Sequence, residues 1–227
     1  MNFIIKLFIL CAVDIYIFLY VGRTWGFIGL GIILFRILHT LGILRSPKLF
    51  RGALGEGILY LKDYQGPYNN PEPYKEALYL ISTYKLEKFF PIGIFYDKPG
   101  EVPDDKLRCS IGIYRKIDGF PGPLPKEFES YCQMNNYYSA EYPLATCLYS
   151  SWDYSNLFTL MIGIKKFNDV LKKNLADAMF KATYRIQKIP KIVVELYSSE
   201  SKLEFYVPIV YEDKFFFYKK EEKPKSE

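Results

Sequence analysis

The sequence predicts an α+β fold: duplicated β-α-β-β units forming one mixed or antiparallel sheet with helices on one face, preceded by an N-terminal transmembrane helix or helical hairpin. Three patterns carry this expectation. Two stretches, 91–114 and 192–210, alternate apolar residues around a turn, the mark of a hairpin. A helical pattern precedes each hairpin, and a strand-like alternation precedes each helix. The first 45 residues are almost continuously apolar.

Residues 1–45 read as a membrane anchor. Phe3 to Val21 is interrupted only by Lys6 and Asp14, and Trp25 to Leu44 by Arg36 and His39. Each run approaches the ~20 residues that a bilayer requires. A central Asp costs on the order of 3 kcal/mol, while about a dozen large apolar residues at roughly 0.3–0.6 kcal/mol each outweigh it. Gly22-Arg23-Thr24 is short enough to turn one helix back on the other, which would bring Asp14 toward Arg36. Tyr20-Val21-Gly22 is a poor cleavage site, which argues against a removed signal peptide. Arg45, Lys48 and Arg51 follow the last apolar run and place the next domain in the cytosol.

Residues 46–56 read as a linker, rich in glycine and opened by Pro47. The domain is expected over residues 57–211. Ile58, Tyr60, Lys62 and Tyr64 alternate with Leu59 and Leu61, giving a strand. Asn70, Pro71, Glu72 and Pro73 start a helix, whose apolar positions Tyr74, Ala77, Leu78 and Ile81 continue toward Lys88. In the first hairpin Ile92, Ile94 and Tyr96 alternate, then Cys109, Ile111 and Ile113, implying one buried face. Asp118 to Pro125 is a punctuating loop, and Lys126 to Tyr138 has room for a short helix.

The second half repeats the order. Tyr142, Leu144, Thr146 and Leu148 suggest a strand. Ser155 to Gly163 suggests a short apolar turn, and Phe167, Val170, Leu171, Leu175 and Met179 mark an amphipathic helix. Ile192–Tyr197 and Leu203–Val210 close the unit. Residues 212–227 form a charged tail, with Phe215, Phe216 and Phe217 available to pack back.

Composition narrows the function. The net charge of +5, from 30 basic and 25 acidic residues, is spread along the chain, so no nucleic-acid partner is expected. The single histidine, His39, lies in the second apolar run, which removes Ser-His and Cys-His catalysis from the domain. No nucleotide-binding fingerprint is present, and neither a metal nor a cofactor is expected. Three cysteines lie beyond the apolar N-terminus without CxxC spacing, which suits reduced thiols in the cytosol. What remains is Glu195. A buried carboxylate beside Tyr197, Tyr60, Tyr64 or Tyr114 would suit a cationic or aromatic small molecule through charge and ring-face attraction.

Several local motifs are similar to a known family. They are Ile94-Phe95-Tyr96-Asp97-Lys98-Pro99, Val102-Pro103-Asp104-Asp105-Lys106, Arg108-Cys109-Ser110-Ile111-Gly112, Val194-Glu195-Leu196-Tyr197 and Pro208-Ile209. Together with the element order they resemble the GyrI-like domain, also found as the effector-binding domain of bacterial multidrug regulators. The chain also resembles the membrane-anchored GyrI-like proteins of animals that act as ER-phagy receptors. The resemblance implies a non-enzymatic adaptor on the endoplasmic reticulum membrane facing the cytosol, with the lipid bilayer and autophagosome proteins as partners. It also implies the alternative of a small-molecule sensor or hydrolase anchored to the membrane, with acids and aromatics in the groove between the repeats. The long acidic tail that carries the autophagy motif in those animal proteins has no counterpart here. Tyr154 and Leu157 have that motif's spacing.

Overall fold

The structure, a computed structural model, describes residues 3–20, 22–117, 124–210 and 212–219. Helices α1 (Phe3–Tyr20) and α2 (Arg23–Thr40) form an antiparallel hairpin. Gly22, with φ of 129°, makes the turn between them in a conformation that only glycine adopts easily. Among the described residues, no helix is long and apolar enough to cross a membrane. Each of the two has 18 residues, a rise of about 27 Å against an apolar layer of about 30 Å. The expected transmembrane span is therefore not found among the described residues. The Asp14 side chain lies outside them.

The domain is α+β, as expected, and its sheet is antiparallel throughout the paired strands. Its strands are β1 (Phe50–Gly52), β2 (Gly57–Gln65), β3 (Phe89–Phe95), β4 (Arg108–Lys116), β5 (Tyr138–Tyr142), β6 (Cys147–Asp153), β7 (Val193–Ser199) and β8 (Lys202–Pro208). Their order is β1-β6-β8-β7-β3-β4-β2-β5. Helices α3 (Glu72–Thr83), α4 (Lys126–Met134), α5 (Leu157–Ala176) and α6 (Ala178–Tyr184) complete it. The duplication is visible in the order. Unit one is β2-α3-β3-β4 and unit two is β6-α5-α6-β7-β8. In the sheet they appear as mirror sequences, β2-β4-β3 and β7-β8-β6, joined by the β3–β7 pair.

Local chemistry explains the boundaries. The side chain of Asn70 accepts from the Glu72 amide, and Pro73 stands in the first turn of α3, where its missing N–H costs nothing. The helix stops at Thr83, earlier than its apolar spacing suggests, because Lys85 and Lys88 adopt left-handed φ of 50° and 63°. Helix α5 begins at a capping box: the Asn156 side chain accepts from the Thr159 amide, and Thr159 Oγ1 accepts from the Asn156 amide. That cap makes one helix of 20 residues where sequence spacing suggested a turn followed by a helix.

Other expectations need correction. The linker holds β1, which pairs with β6, and its Leu54 is buried. The expected strand from Tyr142 is two strands, β5 ending at Tyr142 and β6 starting at Cys147, with exposed Leu144 between them. The first hairpin has two buried faces. Ile92 and Ile94 pair with Gly112 and Ser110, so their side chains point opposite to those of Cys109, Ile111 and Ile113. Both faces are covered. Helices pack on one, over Leu148, Trp152, Phe167 and Phe205 in one half and Ala77, Leu80, Ile113 and Phe128 in the other. On the other face Leu59, Ile92, Val194 and Tyr206 pack with Tyr142 and Phe215. Phe215 is fully buried, in keeping with the tail aromatics that were available to pack back, so the start of the tail belongs to the core. The Asp118–Pro125 loop falls largely outside the described residues.

Candidate ligand-binding site

Strand pairing builds a row across the helix-covered face: Phe205, Glu195, Gly93, Ile111 and Lys62 lie opposite one another on β8, β7, β3, β4 and β2. Glu195 therefore stands on the central strand pair, where the two units meet. It is one of the few buried polar residues of the chain, at 7% exposure. Helix α3 contacts β3 and β4, and α5 contacts β6, so the centre between them is left to side chains.

Two phenols close that centre. The Tyr74 hydroxyl, from α3, and the Tyr197 hydroxyl, two residues along β7, each donate to Glu195 Oε2 at 3.4 Å. Their rings meet edge to face, with centroids 4.9 Å apart. Tyr154 continues the aromatic wall beyond Tyr197 at 6.5 Å. Gly93 makes room for this arrangement: a Cβ there would lie 2.2 Å from the Tyr74 hydroxyl. Isoleucines flank this glycine in mid-strand, a sign of close approach by another group.

Burial pushes the Glu195 carboxyl up to about 7, and the two phenol hydrogen bonds restrain the rise only in part. Among the described residues no basic group pairs with it. A buried carboxylate without a cation is costly, so the proton stays near neutrality. Burial likewise lifts Tyr74 and Tyr197 well above the usual phenol range, so both remain donors.

Next to this group lies a cavity of about 80 Å³, lined by Tyr64, Tyr68, Pro73, Phe95, Cys109 and Ile111. Tyr74 packs against the same Phe95, Cys109 and Ile111. The cavity is small beside the ~300–1,000 Å³ of sites that enclose organic ligands. Burial pushes the Cys109 thiol up to about 12, so it is no nucleophile at neutral pH.

Of the five residues expected at the site, Glu195 and Tyr197 meet. Tyr64 lines the adjoining cavity, but its hydroxyl donates to Glu76 at 2.9 Å, a carboxylate also bound by Lys62. Tyr60 is core, edge-on to Phe128 with centroids 5.1 Å apart. Tyr114 lies on the opposite face, where its hydroxyl donates to the Gly55 carbonyl at 2.8 Å. Its pairing with Leu59, not Tyr60, decides this. Tyr74 was missed because an aromatic at helical spacing looks like ordinary core; Gly93 was the available signal. Tyr154 and Leu157 do not form an extended segment, because Leu157 opens α5 and the Tyr154 amide donates to the Ser201 carbonyl.

No protein-family model matches this chain, and no match is found among curated proteins. Solved structures similar in outline include the EcmrR C-terminal domain, at 12% identity and a TM-score of 0.43, covering 71% of this chain and 96% of that one. An integron cassette protein from the mobile metagenome of Vibrio cholerae is similar at 12% identity and a TM-score of 0.42, covering 73% and 96%. SAV2435 bound to tetraphenylphosphonium is similar at 10% identity and a TM-score of 0.42, covering 71% and 93%.

Proposed function

We propose that this chain is a small-molecule-binding module whose site is the Glu195–Tyr74–Tyr197 group, and that its ligand is a lipophilic or aromatic monocation. One observation carries this: a carboxylate buried at the junction of the two units, faced by phenols and lacking a basic partner among the described residues. A cation supplies the missing charge and stacks on the rings, as ring faces attract cations by ~0.5–2 kcal/mol. In the closed arrangement Tyr74 occupies the space over Gly93. Entry of a ligand swings its ring outward and joins the Glu195 site to the neighbouring cavity. The test is a thermal-shift titration with tetraphenylphosphonium. Stabilisation of the native chain that disappears in Glu195→Gln is the expected result; equal shifts in both, or none in either, overturn the proposal.

A second inference concerns α1 and α2. Phe8, Trp25, Phe27 and Phe35 are each more than half exposed, at 73, 61, 64 and 59%. Chains in water rarely leave such a continuous apolar surface uncovered. We infer that the hairpin lies in the apolar layer of a lipid bilayer, entering and leaving from one side. Arg45, Lys48 and Arg51 then face lipid headgroups, and the domain occupies the cytosolic surface, that of the endoplasmic reticulum on this proposal. Flotation of the full chain with phospholipid vesicles tests it; failure to float overturns it.

A further inference from the structure

We propose that the first two turns of α5 form a second lipid-contact element, dipping into the surface of the same bilayer that holds the α1–α2 hairpin; this rests on the hairpin inference above. The outward face of α5 changes character along its length. Leu157, Phe158 and Met161 are exposed at 70, 58 and 50%, whereas Lys165, Asn168, Asp169, Lys172 and Lys173 occupy the exposed positions that follow. A helix carrying apolar residues on its solvent side as well as its core side has a further apolar neighbour to meet.

The connection between α5 and the hairpin identifies that neighbour. The Trp152 indole is held between Gly163 of α5 and Gly42 at the end of α2; a Cβ at these positions would lie 2.3 and 2.6 Å from its ring. Lys166 Nζ donates to the carbonyls of Gly42 at 3.1 Å, Ile43 at 2.5 Å and Arg45. The last carbonyls of the hairpin are thus tied to α5, and Phe158 lies about 12 Å along the helix from that tie, at 1.5 Å per residue. Ile43 and Leu44, exposed at 40 and 48%, extend the apolar surface at the base of the hairpin. Arg45, Lys48 and Arg51, which follow in the chain, and Lys165, next to the tying Lys166, are exposed as well. Apolar groups with cations close by in the chain match the boundary between acyl chains and anionic headgroups. A second copy of the chain would have to answer these cations with anions of its own, and along this face the exposed cations outnumber the exposed acids Asp153 and Asp169.

The experiment places a polarity-sensitive dye at one cysteine of the full chain in a Cys11→Ser background, where the other cysteines are buried. Variants Phe27→Cys, Met161→Cys and Met134→Cys are reconstituted with vesicles of phosphatidylcholine and phosphatidylserine carrying a quencher in the acyl chains. Met134, 76% exposed at the end of α4, is the distant control. Labels at 27 and 161 are expected to be quenched by about twofold or more, as fits a depth of ~5–10 Å below the headgroups for α5, with the label at 134 unaffected. Quenching at 27 alone overturns the role of α5 and leaves the hairpin in the bilayer. Quenching at none overturns both. Equal quenching at all three shows adsorption of the whole domain and overturns the role of α5.

Discussion

Replacing Glu195 by glutamine changes how stability depends on pH, and the size of the change follows from the site. The carboxyl sits at about 7 in the folded chain because burial disfavours its charge, against 4.5 when exposed. Below about pH 4.5 it is protonated whether the chain is folded or unfolded, and ionisation costs nothing. As pH rises from there the unfolded chain loses the proton first, so the folded state is progressively disfavoured. Above about pH 7 both forms are ionised and the penalty is complete. At about 1.4 kcal/mol per pH unit it amounts to about 3 kcal/mol. Glu195→Gln cannot ionise and escapes it. Denaturation of both proteins from about pH 4 to 8 should show the variant gaining about 3 kcal/mol on the native chain across that range, or roughly 6–12 °C in Tm for a chain of this size. Carboxylates held below their usual range, such as Asp97 beside Arg108, give an opposite trend but contribute equally to both proteins. A stability difference that stays constant between about pH 5 and 8 refutes the account of Glu195 as a buried, uncompensated carboxyl.

Cation binding follows the same proton. Affinity for tetraphenylphosphonium should fall about tenfold per pH unit below about 7, as the carboxylate is lost, and isothermal titration at several pH values reads this directly. Gly93→Ala places a methyl where the Tyr74 hydroxyl lies, so a loss of about 1–3 kcal/mol in denaturant unfolding is expected. Phe215→Ala should cost about 3–5 kcal/mol, because the ring is fully buried against Tyr142; a value below 1 kcal/mol would mean the tail is not part of the core. Arg108→Ala leaves the Asp97 carboxylate, 9% exposed, without its two-point partner, and chemical denaturation should register about 1–3 kcal/mol, between surface and buried pairs.

The order of elements was legible because alternation, turn residues and helix caps are local signals. Pro99 and Gly100 mark the turn of the first hairpin, and Ser198 to Ser201 that of the second, without help from the rest of the chain. Which face a strand residue takes is not local. Ile94 and Cys109 both look core-facing, and both are, but on opposite sides, because Phe95 pairs with Cys109 and Ile94 with Ser110. That one-residue relation also separates Tyr114 from Glu195. Glu195 and Tyr197 could be paired from sequence since residues two apart in a strand share a face. Tyr74 could not, since it reaches the site from 121 residues away. The tail was legible in part: its aromatics suggested packing back, and Phe215 does find a hole on the far face, but its polar ties, Tyr138 donating to the Phe217 carbonyl and Asp63 accepting from the Lys219 amide, depend on residues distant in sequence.

The position of the carboxylate follows from the duplication itself. Each unit brings a helix that covers its own half: α3 over β3 and β4, α5 over β6. The two units meet at the β3–β7 pair, and the Tyr74 side chain of α3 reaches across it to Glu195 and Tyr197. Glu195 and Gly93 sit opposite each other there. A large residue in place of Gly93 would fill the seam and bury Glu195 beyond use; glycine leaves a space that a side chain can enter and leave. Tyr74 is such a side chain, anchored on α3, whose Pro73 packs at the rim of the neighbouring cavity. On the proposed function, phenol and ligand compete for one volume and one acceptor. Affinity then depends on how readily Tyr74 yields, so Tyr74→Phe, which loses the bond to Glu195 and keeps the ring, should bind the cation more tightly than the native chain. Tyr74→Ala should bind it less tightly than Tyr74→Phe, because the ring face is gone.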